Sequence, residues 1–172
     1  MFLTGVIHAL NVPGFGLFFT MVGFSTLAKA AGFDLWLSLA TTISVWGMPG
    51  QVALVSLYAT GSSLTIIFIA VSLANMRMML MIISGSQILQ FNLHNIAFWK
   101  KVFLLHIMAV TSWAQLSYVK DRFPAHLLLH YYIGFSITIY SFGLSGTFLG
   151  YFIDNFVNYE MLQAIAFMTP LY

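Results

Sequence analysis

A single charged side chain, Arg77, lies between Leu35 and Trp99, inside an apolar stretch long enough to span a lipid bilayer. A guanidinium near the middle of a membrane costs about 2.5–3.5 kcal/mol on insertion scales, so the surrounding protein must compensate for it. An ionisable residue at this depth is therefore a candidate functional residue.

The composition indicates an integral membrane protein. The 172 residues are 60% hydrophobic and 6% charged, whereas soluble domains carry about 25% charged residues. The net charge of +2 rests on six basic and four acidic side chains, which fits anchoring at a lipid bilayer and disfavours nucleic acid as a partner. With no Cys, disulfides and thiolate metal sites are excluded. The N-terminal stretch lacks a basic region, and we expect a retained helix rather than a signal peptide.

An all-α fold is predicted, a polytopic transmembrane helical bundle with about five full spans and a partial sixth. At about 20 apolar residues per span, the helices are placed at residues 5–28, 35–58, 62–86, 102–119 and 125–153, with a further helix from Glu160. The connections are short, so we expect one transmembrane domain over residues 1–172. No internal repeat of the kind found in transporters is evident in the sequence.

Helix breakers interrupt the first two predicted helices. Pro13 and Gly14 lie inside the first, and Pro49 and Gly50 lie near the middle of the second. Proline removes a backbone donor and glycine lets the chain unwind, so backbone groups become free to meet a ligand. Paired broken helices are typical of transporter sites; the alternative is a kink that neighbouring helices absorb.

A polar stripe is predicted on the second helix. At about 100° per residue, one face would carry Thr41, Ser44, Gly47, Gln51 and Tyr58. Such a face lines a cavity or hydrogen-bonds to a neighbouring helix. For Gln51, beside the break, we favour the cavity.

The third helix carries Asn75 and Arg77. Residues two apart on a regular helix point to nearly opposite faces, so both can meet one ligand only if the helix unwinds there. Arg77 could bind a substrate carboxylate, pair with a buried acid or coordinate freed carbonyls. No acidic residue lies in a predicted span, so an acidic partner would have to come from another subunit.

The remaining patterns give weaker predictions. A haem between helices is conceivable with His106, His126 and His130, but interfacial histidines are the stronger interpretation, and we expect no cofactor and no metal. The fifth helix has a face of small residues that predicts close packing, either internal or toward a partner: Ser136, Gly143, Gly146 and Gly150. No phosphate loop, Ser/His/Asp set or carboxylate pair is present, so we expect no enzyme.

Several motifs occur in the order and spacing of one family. The chain resembles the AzlC-type (YgaZ-like) large subunit of bacterial branched-chain amino-acid exporters at four motifs. These are Gly32-Phe33-Asp34, Gly47-Met48-Pro49-Gly50-Gln51, Gly61-Ser62-Ser63-Leu64 and Asn75-Met76-Arg77. Further along the chain, four motifs are similar to the fifth helix and following segment of that family. These are Gly134, Gly146-Thr147, Gly150 and Phe167-Met168-Thr169-Pro170-Leu171-Tyr172. The resemblance covers nearly the whole chain.

This resemblance implies export of branched-chain or similar hydrophobic amino acids across the bacterial inner membrane, together with a small hydrophobic AzlD-type (YgaH-like) subunit. Carried over by position, Gln51, Asn75 and Arg77 would be the polar residues of the transport site. With the residues of the two breaks, the candidate substrate-binding residues are Arg77, Asn75, Gln51, Gly50, Pro49, Ser44, Pro13 and Gly14.

The chain departs from the family pattern in three places. Met78 follows the arginine where the family usually has His, and Ser112-Trp113 stands where it usually has Asp-Glu. The family also continues for further helices beyond Pro170, which leaves open a truncated chain or a subunit that its partner completes. A non-transporting scaffold that assembles through the glycine face of the fifth helix is the alternative function.

Overall fold

The computed structural model describes residues 1–91 and 96–153. These residues form eight α-helices and no strand, which confirms the all-α prediction. The helices are α1 (Phe2–Ala9), α2 (Val12–Ala30), α3 (Leu35–Ser44), α4 (Met48–Ala59), α5 (Leu64–Leu89), α6 (Phe98–His106), α7 (Val110–Val119) and α8 (Ala125–Ile153). The helix predicted from Glu160 and the matching motif at residues 167–172 lie outside the described residues.

Local sequence signals set several helix ends. The Asp34 carboxylate accepts a hydrogen bond from the Leu37 amide at 2.7 Å and so caps the start of α3. Gly32 and Gly61 have positive φ angles of 89° and 70°, the backbone region that favours glycine at the end of a helix. They follow α2 and α4, which places these two boundaries where the sequence predicts them.

Both predicted breaks are confirmed, and a third was missed. The first lies at Leu10 and Asn11, between α1 and α2, and the second separates α3 from α4 at residues 45–47. Within the predicted span 102–119, α6 and α7 meet at an angle of 106°. This break, at residues 107–109, contains neither Pro nor Gly, so the usual signals were absent.

Three helices, α2, α5 and α8, are long and apolar enough to cross a membrane, and the bent pair α6–α7 would make a fourth. The prediction of five full spans is therefore too high for the described residues, because the second break leaves α3 and α4 as separate short helices. α5 differs from the other two in its surroundings: only 6% of its most apolar window is buried, against 50% for α2 and α8.

The chain divides into two compact units. The α3/α4 unit contains, among the described residues, 15–75 and 141–153; the α6/α7 unit contains 1–14, 76–91 and 96–140. Each unit thus holds one of the pairs α3/α4 and α6/α7, together with part of α5 and part of α8. The single domain over residues 1–172 stays a prediction.

Within the α3/α4 unit, α2 packs along the end of α8. The Ser25 hydroxyl donates to the Thr147 carbonyl at 2.6 Å, and the hydroxyls of Thr42 and Thr147 are 3.0 Å apart. An apolar cluster lies beside these contacts and joins α2 to α4, with Met21, Phe24, Ala28, Phe33 and Val55 as its buried members. The polar bonds and the apolar cluster together fix α3 and α4 against α2 and α8.

The α6/α7 unit is held around Tyr131 and Tyr132, both of which are almost fully buried. The Tyr131 hydroxyl is 2.8 Å from Nδ1 of His8 and accepts a hydrogen bond from the Gln115 side chain at 3.0 Å. The Tyr132 hydroxyl donates to the Leu104 carbonyl at 2.6 Å. These bonds attach α8 to α1, α6 and α7.

The glycine face of α8 is an internal packing surface, not a free one. Within the α3/α4 unit, Gly146 packs against Phe18 and Met21 of α2, and Gly150 packs against Val22 and Ser25. Absence of a Cβ lets the two helices approach closely. The scaffold alternative requires this face for an outside partner, and α2 already covers it.

Enlarging Gly150 is expected to destabilise the fold. A Cβ at this position would lie 2.7 Å from the Cα of Val22, so α2 and α8 would have to separate. We expect Gly150→Ala to lower the free energy of unfolding by about 1–3 kcal/mol, measured as a reduced thermal midpoint in detergent. Gly16→Ala is the matched control, because nothing lies within 4 Å of a Cβ there; an equal loss in both variants would contradict the packing argument.

Candidate functional site

The break between α3 and α4 leaves backbone donors at the start of α4. Gly47 precedes the helix without a side-chain cap, and its own amide donates to the Val45 carbonyl at 2.8 Å. The Gln51 amide is the first to bond back into the helix, reaching the Gly47 carbonyl at 3.0 Å. The amides of Met48 and Gly50 in the first turn therefore have no partner within the helix, and Pro49 has no amide hydrogen.

Asn75 of α5 packs directly onto this break. A Cβ at Gly47 would lie 2.6 Å from Oδ1 of Asn75, and one at Gly50 would lie 2.7 Å from its Cγ. Only glycine at both positions lets the carboxamide approach the first turn of α4 so closely. The pair of glycines thus brings a polar side chain from one helix to the buried backbone at the start of another.

Gln51 is the most unusual side chain of the unit. It is fully buried, at 0% exposure, and neither its Nε2 nor its Oε1 has a hydrogen-bond partner among the described residues. The Oδ1 atom of Asn75 is also buried without one. A buried polar group left unpaired costs about 1–3 kcal/mol, so the Gln51 carboxamide and the Asn75 Oδ1 atom make this helix start a candidate site for a polar ligand.

Two carboxamides and a helix N-terminus offer a definite chemistry. Each carboxamide carries both a donor and an acceptor, and the N-terminus of α4 adds backbone donors and the positive end of the helix dipole. A carboxylate would accept from the donors, whereas an ammonium group would donate to the carboxamide oxygens. The arrangement suits a small zwitterion.

The predicted polar stripe on α3 and α4 is wrong. The break ends the helical register between Ser44 and Met48, so residues on either side do not continue one face. Thr41 donates to the carbonyls of Leu37 and Ser38, and Ser44 is exposed and donates to the Ala40 carbonyl at 2.7 Å. Only Gln51 of the stripe combines burial with unpaired polar atoms.

Arg77 lies on α5, which is wound continuously from Leu64 to Leu89. The unwinding needed for Asn75 and Arg77 to meet one ligand is therefore absent, and the two side chains leave the helix on nearly opposite sides. Arg77 itself is exposed. It belongs to the α6/α7 unit, as do Pro13 and Gly14 of the first break.

Of the predicted site residues, the α3/α4 unit contains Ser44, Pro49, Gly50, Gln51 and Asn75. The contact of Gly50 with Asn75 joins two of them directly. Gly47 was not predicted as a site residue, although it contacts Asn75 just as closely. The sequence did carry a signal, a second glycine three residues before Gly50. The predicted helical stripe treated Gly47 as one member of a polar face and did not show that a side chain packs on it.

Replacing Gln51 by a residue of similar size without polar end atoms should stabilise the protein. Gln51→Met removes two unpaired polar atoms and keeps the volume, so we expect the free energy of unfolding to rise by about 1–3 kcal/mol. Thr42→Val is the matched control, since the Thr42 hydroxyl is bonded to Ser38 and Thr147 and its loss should destabilise. Thermal unfolding in detergent measures both; a lower midpoint for Gln51→Met would mean that its carboxamide is satisfied.

Comparison with known proteins identifies the family. The sequence profile described as AzlC protein matches residues 14–157, a range that includes the α3/α4 break and Asn75. Searches of curated proteins and of solved structures returned no match. AzlC proteins are membrane permease-type transport components. With most of its length matched, the chain belongs to the AzlC family.

Proposed function

We propose that this chain is the large subunit of a permease in the bacterial inner membrane. It exports branched-chain or similar hydrophobic amino acids and works with a small AzlD-type membrane subunit. The observation that carries the proposal is Gln51, a fully buried carboxamide with both polar atoms unpaired, placed beside a broken helix in a chain of a transport family.

The substrate carboxylate binds the first turn of α4. The amides of Met48 and Gly50, together with the Gln51 side chain, supply the donors, and the helix dipole favours the negative charge. The Asn75 carboxamide, which packs against Gly47 and Gly50, supplies an acceptor for the substrate ammonium group. The substrate thereby pairs side-chain atoms of Gln51 and Asn75 that are otherwise buried without a partner among the described residues.

An aliphatic substrate side chain suits this location because apolar residues adjoin the break. Met48 at the start of α4 and Leu54, six residues later, pack against the cluster of Phe24, Phe33 and Val55. Apolar residues at this position favour leucine, isoleucine, valine or methionine over polar amino acids, by about 0.8 kcal/mol for each buried methylene.

Arg77 is assigned to a different contact from that of Asn75. On continuous α5 it faces away from the side that carries Asn75, and it is exposed. A guanidinium on a lipid-facing span is costly, so we place the small partner subunit over this position, where a carboxylate or a carbonyl oxygen would pair with it. In this assignment Arg77 supports assembly, and the substrate carboxylate is held by α4.

Transport should depend on the two carboxamides. In liposomes that hold the full chain with its small partner, Gln51→Met and Asn75→Ala should each reduce counterflow of labelled leucine at least about ten-fold, since each removes a hydrogen bond to a charged group. Ser145→Ala is the control, because the Ser145 hydroxyl is exposed and bonds within α8. Counterflow unchanged in both site variants would eliminate this site.

Gly50→Ala tests the glycine contact without removing a polar atom. The new Cβ would collide with the Asn75 carboxamide and force that side chain away from α4. We expect a loss of leucine counterflow similar to that of Asn75→Ala, with no further loss in the double variant, because both act on one interaction. Losses that multiply in the double variant would show that the two residues act separately.

A further inference from the structure

The order of helices repeats along the chain. A short helix, a three-residue break, a second short helix and one long helix occur as α3, α4 and α5, with 10, 12 and 26 residues. The same order returns as α6, α7 and α8, with 9, 10 and 29 residues. The break at residues 107–109 is thus the counterpart of the break beside Gln51.

The two units use these parts in the same way. The α3/α4 unit takes the beginning of α5 and the end of α8, and the α6/α7 unit takes the beginning of α8 and the end of α5. In each unit a glycine of a long helix meets the break: a Cβ at Gly143 would lie 2.6 Å from the Trp46 ring, and one at Gly85 would lie 2.6 Å from Sδ of Met108. The counterpart of Gln51, the fourth residue of α4, is Trp113, the fourth residue of α7.

Unpaired polar atoms also gather at this second break. Ser112 is 1% exposed, and among the described residues its hydroxyl has no hydrogen-bond partner. The same holds for the buried hydroxyl of Thr111 and the buried indole Nε1 of Trp113. All three belong to the first turn of α7, whose N-cap residue, Ala109, provides no side-chain cap.

The balance of donors and acceptors at this break indicates the charge of the ligand. At the end of α6, the Leu104 carbonyl accepts from Tyr132 at 2.6 Å, and the carbonyls of Phe103 and Leu105 each accept a backbone amide at 3.2 Å. The acceptors are therefore largely paired. At the start of α7, the first backbone amides, the hydroxyls of Thr111 and Ser112 and the indole of Trp113 are left without partners in the described part of the chain. An indole N–H can only donate. The ligand must supply acceptor oxygens, and the dipole of α7 favours negative charge.

An open groove of about 580 Å³ adjoins Trp113 in the α6/α7 unit. Ser117, Lys120 and Asp121 of α7 and the following turn line this groove, as do Ser84 and Gln87 of α5. The Lys120 ammonium attracts an anion while the Asp121 carboxylate opposes it, so the groove carries no strong net charge, and the donors at α7 decide what binds.

We propose that the start of α7 is a second binding site, for a small aliphatic carboxylate, with Ser112 and Trp113 as its donors. The apolar part of the ligand lies against Met108 at the break. This site is separate from the one at Gln51, and it does not require that Gln51 and Asn75 bind the same molecule.

Equilibrium binding to the purified full chain in detergent tests this site, with radiolabelled isovalerate as the probe. Isovalerate has a carboxylate and a branched aliphatic chain but no ammonium group. We expect saturable binding that unlabelled isopentylamine does not displace. Ser112→Ala and Trp113→Phe should each weaken binding at least about ten-fold, since each removes a donor to a charged oxygen.

Two further variants separate the possible outcomes. Ser86→Ala, in the same unit, removes an exposed hydroxyl that bonds to the Ile83 carbonyl and should leave binding within about two-fold. Gln51→Met should leave unchanged the component of binding that depends on Ser112 and Trp113. No saturable binding, or affinity retained in both Ser112→Ala and Trp113→Phe, overturns the proposal. Binding lost only in Gln51→Met also overturns it, and places isovalerate at the first site instead. Gel filtration of each variant confirms that it is folded.

Discussion

A helix that stops inside a bilayer leaves amides and carbonyls that hydrocarbon cannot satisfy. Most of this protein can be understood from how it handles that constraint at two breaks, between α3 and α4 and between α6 and α7. The carbonyls at the end of α6 are paired by Tyr132 and by local amides, and at the α3/α4 break glycines bring the Asn75 carboxamide to the backbone. In both places donors at the start of the next helix remain for something else to meet.

Polar groups that stay buried and unpaired lower the stability of a fold, and their retention is informative. The hydroxyls of Ser25, Thr42 and Thr147 are buried and paired, and their bonds hold helices together. Gln51 has no such partner, although it is as deeply buried. This difference is the physical basis of our proposal that the substrate binds at α4.

Sequence patterns predicted the features that depend on one residue type. Asp34, Gly32 and Gly61 predicted helix ends correctly, and Pro49 with Gly50 predicted a break. The α6–α7 break escaped detection because residues 107–109 are Ile, Met and Ala, which have no conformational signature; the bend depends on tertiary contacts such as that of Tyr132 with Leu104. The stripe through Ser44 and Gln51 failed for a related reason, since periodicity assumes an unbroken helix.

The candidate site was predicted in part. Gln51, Gly50 and Asn75 were found because amides and glycines are conspicuous in an apolar chain, but the contact between Gly50 and Asn75 depends on how α5 packs, which spacing along the chain does not give. Arg77 was predicted to share a ligand with Asn75, and continuous winding of α5 separates them. A charged residue in an apolar segment is a candidate functional residue, but the sequence alone does not show which group its side chain contacts.

Little of α5 is fully buried, which makes its position sensitive to the lipid. Its 26 residues measure about 39 Å at 1.5 Å per residue, which exceeds a hydrocarbon core of about 30 Å. A helix of this length can match the core by tilting, and the tilt then depends on bilayer thickness. Asn75 sits near its midpoint, so a thinner or thicker membrane would slide that carboxamide across the two glycines and alter the geometry in which a solute is held.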